Sequence, residues 1–248
     1  MNIDAVLPCR NAGSRLFGKP LQPLVVGGPT VLDSLIEYIK AIPSVRNIVL
    51  AIAEGDENEI FGRVADQHGI MSVYGDEDDV VGRMIKAADA TGADYLWHTS
   101  TECPFILYEF AEELIEECVR GEYDRASQVE PPEGAGFQIL KADALRISHS
   151  EGEDRHRAET VGLYIFENKE RFKLLDVPLP EKLRRTEVRL TVDYAEDLVF
   201  CQTVYRSLRR GDSLIPIEQI IDFWDENPDL RAPLENIGID WGTGRLWE

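Results

Sequence analysis

The sequence predicts an α/β fold: a Rossmann-like, mostly parallel sheet with helices on both faces and a β-rich insertion. Two observations predict it. The first half of the 248-residue chain alternates short apolar runs with segments of helical apolar spacing, four times over. The apolar runs are largely uninterrupted by polar residues at every second position. Strands of that kind are buried on both faces, as parallel strands are.

The elements follow in order. Ile3 to Pro8 reads as the first buried strand. TVLDSLIEYIKAI, Thr30 to Ile42, spaces its apolar residues as a helix does and puts Asp33 and Glu37 on another face. NIVLAIA, Asn47 to Ala53, is a second strand, and ENEIFGRVADQHG a helix that stops near Gly69. IMSVYG gives a third short strand, DDVVGRMIKAADATG a helix closed by Gly92, DYLWHTS a fourth strand, and LYEFAEELIEECVRG a helix closed by Gly121. The second half changes texture. QVEPPEGAGFQILKADAL reads as a Pro/Gly turn, a short strand and a helix, and VGLYIFEN and VRLTVD both read as strands. AEDLVFCQTVYRSLRRG and PIEQIIDFWDEN read as helices. No repeat or Pro/Gly/Ser-rich linker divides the chain. We expect a single domain over residues 1–248, with 125–190 as the β-rich region for acceptor binding and dimerisation.

Composition excludes several classes. The net charge of -20 sets the surface against nucleic acid and anionic membranes. With 26 Lys and Arg together, only 7 are Lys, a pattern compatible with salt adaptation. No window approaches a membrane-spanning length, and no basic stretch, apolar stretch and cleavage site open the chain, so the expected location is cytoplasmic. Cys9, Cys103, Cys118 and Cys201 form no CxxC pair, which argues against a zinc ribbon or disulfide scaffold and for simple packing. An anionic substrate must therefore find a local basic pocket.

The stretch AVLPCRNAGSRLFGKPL, Ala5 to Leu21, offers one. A buried strand runs directly into Arg10, two glycines, Arg15 and Lys19. Amides in a glycine-bearing turn form an anion-binding concavity, and Arg and Lys add charge-assisted bonds to phosphate oxygens. Neither GxxxxGK[ST] nor GxGxxG is present. On physical grounds alone a phosphate cradle and a solvated basic turn both remain open. In parallel sheets ligands bind beyond the carboxyl ends of the strands. This loop, Gly75–Asp79 and Thr99–Pro104 all follow strands, so they should converge on one edge.

LPCRNAGSRLFGKPL resembles the opening signature of sugar-activating cytidylyltransferases: the octulosonate and acylneuraminate enzymes and the spore-coat-polysaccharide type. Arg10, Ser14, Arg15, Leu16, Gly18 and Lys19 match in type and spacing, while Cys9 and Phe17 replace the usual Ala and Pro. YGDEDDVVGRMIKAA, TSTECPFI, VRLTVDYAEDLVFCQTVYRSL and IPIEQIIDFWDENPDL resemble further family segments, in the family's order. The resemblance covers most of the chain. It implies a nucleotide-diphospho-sugar-transferase-like fold and a transferase that joins CMP from CTP to a sugar acid or other small anionic acceptor, releasing pyrophosphate.

It also implies residue roles. Arg15 and Lys19 would be catalytic. Pro8, Arg10, Asn11, Gly13 and Ser14 would bind the nucleotide from the first loop, and Gly75, Asp76 and Asp79 would lie near base and ribose. A magnesium ion would be held by Asp193 and by Glu102, which replaces the family's Asp. Acceptor contacts would come from His98, Gln138, Arg157 and Glu159, where the chain departs most from its relatives: Thr160 takes a histidine's place, and Glu133 an arginine's. The related enzymes commonly dimerise, so a homodimer is expected. Two other readings stay open: a glycosyltransferase using a finished nucleotide sugar, and an inactive nucleotide-binding scaffold. His68 reads as a helix-end cation, His149 as a surface residue, and Trp224, Trp241 and Trp247 as packing.

Overall fold

In the computed structural model, which describes residues 1–11 and 15–235, seven strands form one sheet in the order β3-β2-β1-β4-β6-β5-β7. They are β1 (Ile3–Cys9), β2 (Val45–Ala53), β3 (Met71–Gly75), β4 (Tyr95–His98), β5 (Arg125–Val129), β6 (Gln138–Lys141) and β7 (Leu174–Pro178). All pairings are parallel except the two made by β6, which runs against β4 and β5.

Strand geometry decides which residue faces which layer, because neighbouring side chains point to opposite faces. Ala5 and Leu7 of β1 pack into one cluster with α1 (Val31–Lys40), α4 (Ala111–Arg120) and α9 (Ile217–Glu226). Val6 between them packs into a second cluster with α3 (Val80–Thr91) and α5 (Ala142–Glu151). The uninterrupted apolar runs are thus explained by helices on both sides. Each fully buried Leu, Ile or Phe contributes about 1.5–3 kcal/mol. Trp97 of β4 stacks on Phe137 at 5.1 Å, and Trp224 meets Phe200 edge-on at the same distance, in packing roles.

Local signals set the helix ends. Thr30 and Asp33 form a reciprocal capping box at the start of α1. Helix α2 (Glu59–His68) and α3 end at Gly69 and Gly92 in the left-handed region, φ 64° and 68°. His68 closes α2 and pairs with Asp33 at 2.6 Å.

The second half departs from its sequence reading: strands β5 and β7 are additional to those read, and two segments read as strands are not. VGLYIFEN is not a strand but contains helix α7 (Leu163–Glu167), following the short α6 (Asp154–Arg157). Val161, Tyr164 and Ile165 are buried in the second cluster, and a five-residue apolar run looks the same from either secondary structure. VRLTVD is extended but joins no strand of the sheet. Its backbone bonds go to two loops: Glu133 N–H to Val188, Leu190 N–H to Glu133, and Val192 N–H to Glu102. Region 125–190 contributes β5, β6 and β7 to the common sheet, with three short helices beside them. After it come α8 (Ala195–Leu208), α9 and α10 (Pro228–Glu235). Among the described residues, no helix is long and apolar enough to cross a membrane. Trp241, Trp247 and the IDWGTGRLWE tail lie outside the described residues, as do Gly13 and Ser14.

Candidate active site

The chain leaves β1, builds outward to β2 and β3, then returns through α3 to place β4 on the other side of β1. That reversal is a topological switch point, where the loops beyond two neighbouring strands part and open a crevice. The loop after β1 and the loop after β4 flank it.

The start of the first loop is fixed at Asn11. Its N–H donates to Asn58 Oδ1 at 2.7 Å, and its side-chain amide donates to the Glu57 carbonyl at 3.2 Å. Its far end turns at Gly18, φ 60°, where an added Cβ would come within 3.3 Å of Asn11 Oδ1. A short 3-10 turn, Lys19–Leu21, follows, with Pro20 buried. This turn aims Lys19 inward: its Nζ lies 2.7 Å from Asp193 Oδ1. Arg15 Nη2 reaches the same oxygen at 3.1 Å. Two cations from the basic loop therefore converge on one carboxylate that is distant in sequence.

Asp193 is held by its backbone. Its N–H and that of Tyr194 both donate to Asp197 Oδ2, at 3.0 and 2.9 Å. Asp197, in the first turn of α8, also takes a bidentate pair from Arg189 at 2.8 and 3.0 Å. Both are buried, at 0% and 3% exposure. Burial pushes the Arg189 guanidinium down, but the hydrogen bonds and charge of Asp197, with the charges of Asp193 and Glu133, more than offset it. Glu102 is brought alongside by the Val192 N–H to Glu102 carbonyl bond of 2.9 Å. Its carboxylate accepts from Ser100 Oγ and, at 3.5 Å, from Thr101 Oγ1, which also reaches the Pro8 carbonyl at 3.5 Å. Desolvation pushes the Glu133 carboxyl up against the pull of Arg189, and the charges of Asp193 and Asp197 push it further.

The second loop, Gly75–Asp79, is built as a tight turn. Asp76 Oδ1 accepts from the amides of Asp78 and Asp79 at 2.9 and 3.2 Å. Asp79 caps α3 through Gly82 N–H at 2.7 Å and pairs with His149 of α5 at 2.6 Å. Beneath it, buried Arg83 donates from Nη1 to the carbonyls of Asp76 and Glu77 at 2.6 and 2.8 Å. Sequence reading passed over Arg83 and left His149 on the surface. The signal for Arg83 was its place at the end of the EDDVVGR segment.

The four acceptor candidates part company. His98 and Gln138 are register partners across β4 and β6. His98 is buried, with Nδ1 3.4 Å from the Val6 carbonyl, and burial lowers its pKa to about 4, so it is neutral near pH 7. Gln138 accepts from Arg125 Nε at 3.0 Å and donates to the Val161 carbonyl at 3.2 Å. Arg157 donates to the carbonyls of His149 and Gly152, at 3.2 and 3.3 Å, and so closes the C-terminal end of α5. Glu159 forms an ion pair with Arg10, joining the segment before α7 to the first loop.

No protein-family model matches the chain. An uncharacterized protein of Methanocaldococcus jannaschii is 26% identical over 239 residues, covering 96% of each chain. The spore coat polysaccharide biosynthesis protein SpsF of Bacillus subtilis is 24% identical over 240 residues, covering 93% of this chain and 97% of its own. The chain is similar to both proteins along nearly its whole length. In this chain the loop after β1, Asp193 and the loop after β4 meet at one edge of the sheet. The solved structures agree in fold. A cytidylyltransferase from Leptospira borgpetersenii superposes with a TM-score of 0.85 at 20% identity, over 96% of this chain and 99% of that one. A CMP-2-keto-3-deoxy-manno-octonic acid synthetase complexed with CTP gives 0.63 at 14% identity, over 83% and 99%. A Mycobacterium tuberculosis protein complexed with manganese gives 0.56 at 14%, over 82% and 99%.

Proposed function

We propose that the protein transfers CMP from CTP to a small anionic acceptor, of which a sugar acid is the first candidate, and releases pyrophosphate. The observation that carries this reading is the convergence of Lys19 and Arg15 on Asp193 at the switch point. An acceptor oxygen attacks the α-phosphorus in line, a bond forms from that oxygen to phosphorus, and the bond to the pyrophosphate oxygen breaks. Lys19 and Arg15 neutralise the charge that gathers on the departing pyrophosphate. Arg10 and the first-loop amides orient the chain of phosphates, and Gly75, Asp76 and Asp79 border the base and ribose. Catalysis is by positioning and charge, with no covalent intermediate.

The donor chemistry fits magnesium. Asp193 and Glu102 are hard oxygen donors on adjoining backbone segments, and among the described residues no larger His, Cys, Asp or Glu cluster could hold a metal on its own. Magnesium is usually held in this way, by one or two carboxylates with substrate phosphates and water. Bound there, it would supply charge neutralisation and orientation of the phosphates. Glu102→Asp should keep or raise turnover, because the shorter side chain is the family's own. Normal turnover of Glu102→Ala at saturating magnesium would remove Glu102 from the ligand set.

The function is tested by pyrophosphate release from CTP and magnesium against a panel of sugar acids and other small acids. Acceptor-dependent release is expected. CTP binding without release from any acceptor would favour the inactive scaffold, and release of nucleotide from a finished nucleotide sugar would favour the glycosyltransferase. A C2 homodimer formed through region 125–190 completes the proposal. Light scattering should give about twice the 28.0 kDa chain mass, and a monomer at micromolar concentration would overturn it.

A further inference from the structure

Arg15 is the more exposed of the two cations at Asp193, its side chain 49% exposed against 12% for Lys19. A long, exposed arginine has many rotamers to lose before it serves a substrate. Tyr194 limits that freedom. The guanidinium carbon of Arg15 lies 5.1 Å from the centre of the Tyr194 ring, within cation–π range. The hydroxyl adds little, because Arg15 Nη1 stands 3.5 Å from it, at the outer limit of a hydrogen bond. The ring is itself fixed: the Tyr194 amide donates to Asp197 Oδ2, the same buried oxygen that holds the Asp193 amide. One carboxylate thus sets both the acid that Arg15 faces and the ring that it lies on.

We propose that Tyr194 is a positioning residue for the triphosphate, holding the Arg15 guanidinium by its face so that its in-plane N–H groups are available to phosphate oxygens. The inference rests on the function proposed above. An aromatic partner suits this task better than a second carboxylate. A carboxylate occupies the same N–H groups that a phosphate needs, whereas a ring contacts the guanidinium face and leaves the fork open. Arg15 can then exchange Asp193 for a phosphate without leaving the ring.

The test is CTP binding by calorimetry in magnesium, on Tyr194→Leu, Tyr194→Phe, Arg15→Ala and the Arg15→Ala/Tyr194→Leu double variant. Thermal melts confirm that each is folded. Tyr194→Leu should weaken CTP about 3- to 10-fold, and Tyr194→Phe should restore binding to within about twofold of the parent. The double variant should bind no more weakly than Arg15→Ala, since the ring has then lost the group that it positions. A Tyr194→Leu variant that binds as the parent does, a Phe variant as weak as Leu, or additive losses in the double variant would each overturn the proposal while leaving the triphosphate site standing. Undiminished binding by Arg15→Ala would overturn the triphosphate reading of the loop itself, and the role of Tyr194 with it.

Discussion

Asp193→Asn is expected to abolish turnover, by 100-fold or more on the order of a lost electrostatic catalytic group, while CTP still binds and the fold stays intact. Fold and function separate because different atoms of Asp193 serve them. Its position is fixed through its N–H, which donates to Asp197. Its carboxylate is partly exposed, at 22%, and contacts Lys19 and Arg15. An isosteric amide keeps the backbone bond and the shape. The lost attraction to two cations at a partly solvated position is worth about 1 kcal/mol or less of stability.

The consequence for CTP binding is opposite in sign without and with the metal. Without a metal, Asp193 competes with the triphosphate for Lys19 and Arg15 and adds repulsion in a chain already at -20. Removing its charge should therefore hold or tighten CTP binding in excess chelator. In magnesium, the parent's advantage in affinity should disappear from the variant, because a carboxylate between cation and phosphates turns from repulsive to attractive. Calorimetry in magnesium and in chelator, beside a pyrophosphate assay, reads both. Turnover within tenfold of the parent would remove Asp193 from the reaction. Equal CTP affinity of the parent protein in magnesium and in chelator would remove the metal.

The residues that the sequence made legible share a feature: they act through type and local spacing. Arg15, Lys19 and Asp193 sit in motifs quoted from the sequence and come together in the structure, and β1, β2 and β4 are largely buried apolar runs, readable without their partners. What was not legible depends on distant contacts. Strands β5 and β7 carry polar and charged residues, Arg125, Ser127 and Asp176, whose side chains satisfy one another across the sheet at 3.0 to 3.2 Å. The alternation Leu175, Val177 and Leu179 is interrupted by Asp176 and Pro178, and β5 keeps only Ala126 and Val129 as apolar residues. Arg157 is an acceptor candidate from its place at the head of RAETVGLYIFEN, and in the fold its guanidinium donates to the carbonyls at the end of α5. Tyr194 and Arg83 are unremarkable until the fold sets one against Arg15 and the other beneath the Gly75–Asp79 turn.

Asp197 shows the same dependence and should give the largest stability change. Asp197→Ala is expected to cost about 3–5 kcal/mol, the usual effect of removing one member of a buried ion pair. The Arg189 guanidinium is 3% exposed and loses its bidentate carboxylate. The amides of Asp193 and Tyr194 lose their acceptor at the start of α8 in the same substitution. Against a total stability of about 5–15 kcal/mol, this is a large fraction. A chain of this length should lose roughly 10 °C in melting temperature. Asp197→Asn keeps one acceptor oxygen and should lose less. Activity should fall with stability for a physical reason: Arg189 already stands 3.6 Å from Asp193 Oδ2, and without Asp197 it is drawn toward the carboxylate that faces Lys19 and Arg15. Urea unfolding measures the first effect and CTP turnover well below the melting temperature the second. A loss under about 1 kcal/mol at unchanged m-value would mean that Asp193 and solvent replace Asp197 fully, and the active-site edge would then be held by its loops rather than by this buried pair.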